Sequence, residues 1–523
     1  MSRIDTHKWW MLVVIGLAVT VGLTEVTGRA QSVAQFENWK ETATGRRPNG
    51  RCSDLRALTN YDFSVDAATL IPPQADVPEF CLVQGQILPE VRFEVSLPTA
   101  WNGRLYMFGN GGNAGEPFTT PVRIRRRNAA LERGFAVTAT NTGHDNTREP
   151  GRSFAVNPQK FIDFAYRAVH VTAVTAKDIS RSYYATPPTR AYFDGCSQGG
   201  RQGLISAQRF PEDFDGIVVG APVLDLAGMN AHSAKIFLAL AASPHLAEKI
   251  ELLAERVYKK CDAVDGLADG VIDDPRRCQF NPAADLPRCT SGESEGACFT
   301  AAEIRSLEAI YGDVVSNRTK IFPGLPVGAE VLVPTPAGLR SGWAGTLIPP
   351  GPVSSLNYLE EDFKYMTNLD WRAFELDRDF EKLRISMLPL LATDPDLSRF
   401  RSRSGKVIMY FGWADPGVNP LMGVDYYERV RETMGPATPE FFRLFMMPGV
   451  FHCGGGVGPN LADTFTPLVD WVERGIAPDR IVATLRREGK IVRTRPLCPY
   501  PLVAKYKGSG SIDEATNFVC SNP

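Results

Sequence analysis

The sequence RAYFDGCSQGGRQGLISAQRF at residues 190–210 decides the fold. Residues 190–194 predict a buried strand and residues 199–210 predict a helix. Between them, GCSQG at residues 195–199 fits the pattern G-x-S-x-G, a turn so tight that it needs small residues on both sides of the serine. Such a turn pushes the serine hydroxyl out above the sheet edge. Ser197 is therefore the candidate nucleophile, and a purely structural turn is the alternative.

The surrounding sequence alternates short apolar runs with helical patterns, which is typical of an α/β sheet. We predict strands at residues 104–107, 134–140, 216–220, 406–411 and 442–447, and helices at 161–184, 426–434 and 466–474. Between residues 223 and 400 this alternation stops, and loops rich in proline and glycine take its place. The order predicts one α/β core, made of residues 31–222 and 401–523, that is interrupted by a lid at residues 223–400.

Length, composition and charge exclude several classes of protein. The chain has 523 residues, of which 44% are hydrophobic and 22% are charged, as in an ordinary globular protein. The formal net charge of −2 gives no overall basic character of the kind that binds nucleic acid. We expect a small-molecule partner, no nucleic acid and no organic cofactor, and the oligomeric state stays open.

The N-terminus predicts export. Basic residues precede an apolar run at residues 9–23, and Gly28-Arg29-Ala30 places small residues at positions −3 and −1 before Gln31. Residues 1–30 are a predicted signal peptide, with an uncleaved anchor as the alternative. Ten scattered cysteines suggest disulfides, which persist in an oxidising compartment. We expect the mature protein to be secreted or periplasmic, with no attachment to the membrane after cleavage.

A serine nucleophile needs a base, normally a histidine. One of the six histidines leaves with the signal peptide, and the chain then retains His144, His170, His232, His245 and His452. In a hydrolase of this architecture the acid and the histidine follow the serine, in loops after late strands. His452 meets this order. His144 precedes Ser197 and would need a different topology, and His170 lies within a helical pattern, where we expect it to pack.

Asp415 is the candidate acid. It lies in the loop GWADPG at residues 412–417, directly after the strand predicted at 406–411. The carboxyl ends of strands are where α/β sheets place ligands and catalytic groups. Asp415 would orient His452 there and stabilise the imidazolium that forms during attack. A plain Asp-Pro-Gly turn is the alternative.

Two cysteines stand beside the candidate residues. Cys196 immediately precedes the proposed nucleophile, and Cys453 immediately follows the proposed base. A disulfide between them would hold their Cα atoms about 4.4–6.8 Å apart. Ser197 and His452 would then lie within reach of each other.

The motifs around these residues resemble those of a known family. Cys-Ser-x-Gly-Gly around Ser197, an aspartate at 415 and His-Cys at 452–453 resemble the tannase and feruloyl esterase family, whose CS-D-HC motif joins the two cysteines. Further matches are WNGR at 101–104, the glycine-rich residues 109–115, TGHD at 142–145, QRFP at 208–211, WVERG at 471–475 and RPLCPYP at 495–501. The resemblance covers about residues 50–520.

This resemblance implies an α/β-hydrolase fold with a lid, and ester hydrolysis through an acyl-enzyme. Ser197 would attack the ester, His452 would carry the proton and Asp415 would orient His452. The oxyanion hole would be formed by the backbone N–H of Gln198 and an N–H from the glycine-rich stretch, at Asn110 or Gly111.

An acidic loop in the lid suggests a metal site. CDAVDGLADGVID at residues 261–273 spaces its carboxylates by three and four residues, and calcium accepts oxygen ligands in the irregular geometry of a loop. A solvated acidic turn is the alternative. The resemblance implies a structural Ca²⁺ in the lid, with ligands from the side chains of Asp262, Asp265 and Asp269 and from the carbonyls of Leu267 and Val271.

The resemblance and the spacing of the cysteines also suggest the remaining disulfides. Cys261 and Cys278 flank the acidic loop and would close it. The other expected pairs are Cys52–Cys81, Cys289–Cys298 and Cys498–Cys520.

The lid is expected to supply the pocket for the acyl group. Aromatic and apolar candidates for its lining are Trp343, Leu347, Tyr358, Phe363 and Tyr365. Family members that cleave terephthalate monoesters bind the free carboxylate with a lid arginine, but residues 343–363 contain none. We therefore favour esters of phenolic acids such as ferulate, caffeate or gallate. A terephthalate monoester hydrolase, a serine peptidase or acyltransferase, and a catalytically inactive binding module are the alternatives.

Overall fold

The protein is described from a computed structural model that covers residues 35–41, 45–290, 296–335, 338–348 and 355–523. The predicted signal peptide at residues 1–30 lies outside the described residues. No helix within the described ranges combines the length and the apolar character that crossing a bilayer requires.

The described strands are, in chain order, β1 (Phe63–Ile71), β2 (Phe80–Ile87), β3 (Val91–Pro98), β4 (Arg104–Phe108), β5 (Ala136–Thr140), β6 (Arg190–Cys196), β7 (Gly216–Gly220), β8 (Val314–Ser316), β9 (Thr319–Phe322), β10 (Leu332–Thr335), β11 (Gly338–Ser341), β12 (Lys406–Gly412), β13 (Phe442–Met447), β14 (Leu461–Ala462), β15 (Ile481–Arg487), β16 (Lys490–Leu497), β17 (Val503–Tyr506) and β18 (Phe518–Ser521). Nine of them form one sheet in the order β1-β2-β3-β5-β4-β6-β7-β12-β13. Pairs from β1 to β5 along this order are antiparallel, and pairs from β5 to β13 are parallel.

Helices cover this sheet, and the described α-helices are Pro121–Leu131, Pro158–Ile162, Ala168–Tyr184, Gln198–Arg209, Leu226–Leu240, Ile250–Cys261, Pro282–Asp285, Ala301–Tyr311, Gly342–Thr346, Ser355–Met366, Leu376–Met387, Ser398–Ser402, Pro420–Met434 and Phe465–Arg474. The central strands are buried on both faces, as parallel strands between helices usually are. In β7, Ile217 and Val219 pack into one apolar core, and Val218 packs into the core on the other face. The structure has the predicted α/β-hydrolase fold.

The predicted elements are found with small differences at their ends. The helix predicted at 161–184 is interrupted by a π-helical segment at Asp163–Arg167. Strands β1, β2 and β3 were not predicted at all. They pair antiparallel through short connections, so no intervening helical pattern marks them in the sequence.

The chain leaves the large sheet between β7 and β12. Its described part there consists of helices and two hairpins, β8–β9 and β10–β11, and it adds no strand to that sheet. The predicted lid boundaries, after residues 222 and 400, fall inside this β7–β12 connection. They stay a prediction.

All ten cysteines form disulfides. The pairs are Cys52–Cys81, Cys196–Cys453, Cys261–Cys278, Cys289–Cys298 and Cys498–Cys520, the same five that the sequence suggested. Cys196 and Cys453 are 257 residues apart in the chain, and their Cα atoms are 6.1 Å apart. This bridge therefore ties the end of β6 to the loop that follows β13.

Candidate active site

Ser197 stands in a strained turn between β6 and the helix Gln198–Arg209. Its φ is +63° and its ψ is −125°, a conformation that a residue with a side chain rarely adopts. The turn is fixed by backbone hydrogen bonds, because the Ser197 N–H donates to the Gly220 carbonyl at 2.8 Å and the Arg201 N–H donates to the Ser197 carbonyl at 3.0 Å. The structure thus holds Ser197 at the carboxyl end of the central strands.

Two glycines make this turn possible. A Cβ atom on Gly195 would lie 2.4 Å from the Gly199 carbonyl oxygen, and one on Gly199 would lie 3.1 Å from the Asn110 carbonyl oxygen. The first of these distances is too short for any side chain. The G-x-S-x-G spacing therefore reflects the close approach of the strand, the helix and the glycine-rich loop, as the sequence pattern predicts.

Asp415 and His452 form a closely bonded pair. His452 Nδ1 donates to Asp415 Oδ2 at 2.6 Å. The other Asp415 oxygen accepts the N–H groups of Gly417 at 2.9 Å and Val418 at 2.8 Å, and the residue is 1% exposed. Burial alone would lower the pKa of His452, but the charge of Asp415 and this hydrogen bond outweigh burial and raise it.

The disulfide brings this pair to the serine. Ser197, Cys196, His452 and Cys453 all line the same cavity, and Cys453 Sγ lies 3.7 Å from His452 Nε2. Among the described residues, no hydrogen bond joins Ser197 to His452. Catalytic hydrogen bonds are often long without substrate and tighten when it binds.

Asn110 and Gly111, the two candidate oxyanion donors on the glycine-rich loop, differ in whether their backbone N–H already has an acceptor within the protein. The Asn110 N–H already donates to Gln202 Oε1 at 3.0 Å, which favours Gly111 over Asn110 as the donor, and the choice between them stays a prediction. Gly111 lines the cavity, and no described residue accepts its N–H. The Gln198 N–H stands at the first position of its helix, where backbone N–H groups have no partner within the helix.

The cavity has a volume of about 830 Å³. Its apolar lining includes Phe108, Val223, Leu226, Met229 and Val418. Of the five lid residues proposed for the lining, only Tyr358 is among the described residues that reach the cavity. Trp343 and Phe363 are buried in the core instead, where aromatic side chains of a lid are commonly found.

The other histidines have structural partners. His144 is buried, and its Nε2 donates to the Asn113 carbonyl at 2.9 Å, which fixes the glycine-rich loop. His170 packs on Phe210 with ring centroids 4.0 Å apart, as expected for a packing residue. His232 contacts the Ile310 carbonyl at 3.2 Å and is buried, and His245 is exposed beside Glu248.

Among the described residues, three arginines line the cavity, Arg123, Arg126 and Arg152, and none of them was predicted as a site residue. Arg123 and Arg126 face the carboxylates of Glu116 and Asp194.

Arg152 belongs to the α/β core and not to the predicted lid, and it stands between Gly151 and the short helical turn Ser153–Val156. It lines the cavity together with Ser197. Its Nε donates to Asp362 Oδ1, from the lid, at 3.0 Å. The family resemblance points to an arginine in the lid, and no motif marks Arg152 in the sequence.

The acidic loop contains the expected carboxylates in a compact arrangement. Burial, with the nearby charge of Asp265, raises the pKa of Asp273 to about 7, and burial also raises the pKa of Asp262 and of Asp265. Asp269, however, accepts a hydrogen bond from Arg495 at 2.6 Å, and its carbonyl accepts one from Arg493 at 3.1 Å.

These contacts test the fit of a calcium ion. The donor set of hard oxygens suits Ca²⁺. Within the described ranges, no three Asp, Glu, His or Cys side chains stand ready to hold one ion together. Asp269 is paired with Arg495. The calcium site of Asp262, Asp265, Leu267, Asp269 and Val271 stays a prediction.

The fold and the arrangement around Ser197 define the class of protein, which is an α/β-hydrolase. Within that class, the chain belongs to the tannase and feruloyl esterase family, whose sequence profile matches residues 76–521. The protein is therefore a carboxylic ester hydrolase.

Individual relatives agree with this assignment. A mono(2-hydroxyethyl) terephthalate hydrolase from Piscinibacter sakaiensis is 35% identical over 88% of this chain and 87% of its own. A probable feruloyl esterase B-2 from Aspergillus terreus is 30% identical, over 82% and 83%. The crystal structure of feruloyl esterase B from Aspergillus oryzae superposes with a TM-score of 0.79 at 26% identity, covering 90% of this chain and 99% of that one.

Proposed function

We propose that this enzyme is a serine esterase that hydrolyses esters of aromatic acids, foremost phenolic acids such as ferulate or gallate, through an acyl-enzyme. The observation that carries the proposal is the cavity of about 830 Å³, which places Ser197 and His452 against an apolar lining. Its volume falls within the range of pockets that enclose a small organic ligand. The names of the relatives agree, since two of those above are feruloyl esterases and one acts on an aromatic monoester.

In this mechanism His452 Nε2 takes the proton from Ser197 Oγ as that oxygen attacks the ester carbonyl carbon. The carbonyl oxygen becomes an oxyanion, which the N–H groups of Gln198 and Gly111 would stabilise. When the tetrahedral intermediate collapses, His452 returns the proton to the departing alcohol and the acyl group stays on Ser197. A water molecule, deprotonated by His452, then releases the acid and restores the serine.

Asp415 supports both steps without exchanging a proton. Its hydrogen bond to Nδ1 fixes the tautomer that leaves Nε2 free to accept the serine proton. The negative charge beside the ring favours the imidazolium that forms during attack. Because the N–H groups of Gly417 and Val418 hold the other oxygen, the carboxylate cannot turn away from His452.

A terephthalate monoester hydrolase is the second candidate. The absence of an arginine at residues 343–363 favoured phenolic esters, but Arg152 places a guanidinium at the cavity from the core. The relative with 35% identity is named for such a substrate. A peptidase or acyltransferase on the same scaffold would use the same three residues, so only substrates separate it from the esterase.

A panel of substrates tests the proposal. Purified enzyme is given methyl ferulate, methyl gallate, a terephthalate monoester and a peptide amide, and release of the acid is followed. We expect kcat/KM for the aromatic esters to exceed that for the amide by orders of magnitude. Faster cleavage of the amide would replace the esterase by a peptidase, and fastest cleavage of the terephthalate monoester would replace the phenolic substrate by the second candidate.

Two further features belong to the proposal. The acidic loop would bind a structural Ca²⁺ through the side chains of Asp262, Asp265 and Asp269 and the carbonyls of Leu267 and Val271. The close spacing of the carboxylates in this loop supports that proposal.

The mature protein would be secreted or periplasmic, which five disulfides and the N-terminal sequence support. Mass spectrometry of the N-terminus after expression with export would test the cleavage before Gln31.

A further inference from the structure

Arg152 is a buried cation whose hydrogen bonds are incomplete. The residue is 5% exposed, and its Nε donates to Asp362 Oδ1 at 3.0 Å. Within the described part of the chain, neither terminal nitrogen has an acceptor, and Nη1 is fully enclosed. A guanidinium has five N–H donors, and buried donors in folded proteins are nearly always paired. The residue lines the cavity that contains Ser197.

A neighbouring arginine shows that the fold can satisfy such a group. Arg201 is 1% exposed and also lies over the Phe164 ring, 5.3 Å from its centroid, compared with 4.9 Å for Arg152. Its Nε donates to Gln198 Oε1 at 2.8 Å. Its two terminal nitrogens donate to the backbone carbonyls of residues 164, 165 and 390. The unpaired nitrogens of Arg152 are therefore a local property of the cavity wall.

The surroundings of Arg152 hold it in place without using these nitrogens. Asp362 is fully buried, and its second oxygen accepts from Asn230 Nδ2 at 3.0 Å. The Tyr358 ring lies 5.7 Å from the guanidinium. Glu361, the other acidic neighbour, is only half-buried and accepts from Asn113 Nδ2 at 3.3 Å. The Nε side of the guanidinium is thus anchored, Nη1 is enclosed, and Nη2 is left for another acceptor.

We propose that Arg152 binds an acceptor oxygen, foremost an ionised carboxylate, at the end of the ester that is remote from the scissile bond. Nη2 is the terminal nitrogen that remains accessible, and its charged N–H group makes a stronger hydrogen bond to an ionised carboxylate than to a neutral phenolic hydroxyl. The inference rests on the proposed function, because it names a specificity-determining residue of that same cavity. It assigns no part in the bond-breaking steps to Arg152.

The test compares three esters of one alcohol that differ only at the para position of a benzoyl group: carboxylate, hydroxyl or hydrogen. Arg152→Met keeps most of the side-chain volume and removes every donor. We expect kcat/KM to fall about 10- to 100-fold for the carboxylate ester, as for loss of a hydrogen bond to a charged group. The loss should be smaller for the hydroxyl ester and smallest for the unsubstituted one.

Two variants separate recognition from folding. Arg152→Met leaves Asp362 buried without its cation, so the double variant Arg152→Met/Asp362→Asn removes that charge as well. In this double variant, the loss of kcat/KM should again be largest for the carboxylate ester and smallest for the unsubstituted ester. Arg148→Met is the matched control, because Arg148 is an exposed arginine four residues away, with its side chain 85% exposed, and it should change none of the three rates.

A fourth ester, 4-carboxybenzyl benzoate, carries the carboxylate on the alcohol. A selective loss with either carboxylate ester supports the inference and shows which end of the substrate reaches Arg152. Equal losses for all esters, in both Arg152 variants, would overturn it and leave Arg152 a structural residue. If the unaltered enzyme hydrolyses none of these aromatic esters, the proposed function itself is wrong and the inference fails with it.

Discussion

Two groups of residues at the cavity differ in which of their polar atoms are paired within the protein. In the catalytic group, Ser197, Asp415 and His452, the carboxylate accepts three hydrogen bonds and the serine turn is fixed by backbone contacts. In the arginine group, Arg152 and Asp362, both carboxylate oxygens accept hydrogen bonds, and the terminal guanidinium nitrogens are left unpaired among the described residues.

This difference separates chemistry from recognition. Groups that must act on every substrate gain from being fixed before it arrives, since no reorganisation is then needed during the reaction. Groups that choose among substrates need open donors, because a donor already paired within the protein cannot distinguish one ligand from another. We therefore expect changes in the catalytic group to affect all esters alike, and changes in the arginine group to affect them selectively.

The largest expected effect is that of Ser197→Ala. Removing the nucleophile should lower kcat about 10⁴- to 10⁶-fold for every ester in the panel, because no acyl-enzyme can form. Initial rates with a chromogenic ester, and mass spectrometry for a trapped acyl group, would measure it. Thermal unfolding of the variant should match the parent protein. Full hydrolysis by this variant would show that Ser197 is not the nucleophile.

Asp415→Asn should have the next largest effect. An asparagine keeps the volume but stabilises neither the correct tautomer nor the imidazolium, so kcat should fall about 10⁴-fold. Activity also requires neutral His452 and should decline as the pH falls through its pKa. Because Asp415 raises that pKa, the acidic limb of the pH–rate profile should lie at lower pH in the variant than in the parent enzyme. A limb that does not move would contradict the pairing of Asp415 with His452.

Much of this catalytic group could be predicted from the sequence, because local rules determine it. The strand–turn–helix around Ser197 depends on Gly195 and Gly199. Asp415 and His452 could be predicted because each lies in a loop directly after a late strand that the sequence predicts. Local sequence rules could not decide whether Asn110 or Gly111 supplies the oxyanion N–H. The difference depends on Gln202, a residue 92 positions away that accepts the Asn110 N–H.

The arginine group shows where sequence reasoning fails. Arg152 is held at the cavity by Asp362 of the helix Ser355–Met366, 210 residues further along the chain. No spacing or periodicity records such a contact. The antiparallel strands β1–β3 were missed for a related reason, since their pairing is marked by no intervening helix.

Gly111→Pro tests Gly111 as the oxyanion donor of the glycine-rich loop. Proline removes the backbone N–H, and loss of one such donor typically lowers kcat about 10²- to 10³-fold. Gly111→Ala is the matched control, because it keeps the N–H and its Cβ would meet no atom within 4 Å. The alanine variant should stay close to the parent in kcat. Equal losses in the two variants would mean that the loop conformation, and not the N–H, is needed.

The smallest expected effect concerns the acidic loop, whose carboxylates are not among the described residues that line the cavity. Arg495 pairs with Asp269 at 2.6 Å, so an ion would have to share this carboxylate with arginine. If Ca²⁺ binds the folded state and not the unfolded state, a chelator should lower Tm by about 2–6 °C while kcat at 25 °C stays unchanged. Differential scanning calorimetry with and without added Ca²⁺ would measure this.

Asp265→Asn should abolish the dependence of Tm on calcium, because Asp265 would be a side-chain ligand and the ion pairs described for Arg493 and Arg495 in this loop are made to Asp269. Asp66→Asn, at an exposed aspartate of β1, is the matched control and should keep that dependence. A Tm that calcium does not change in the parent protein would mean that Arg493 and Arg495 balance the charge of Asp269 in place of a metal ion. The acidic loop would then be closed by ion pairs to β16 and by the Cys261–Cys278 disulfide alone.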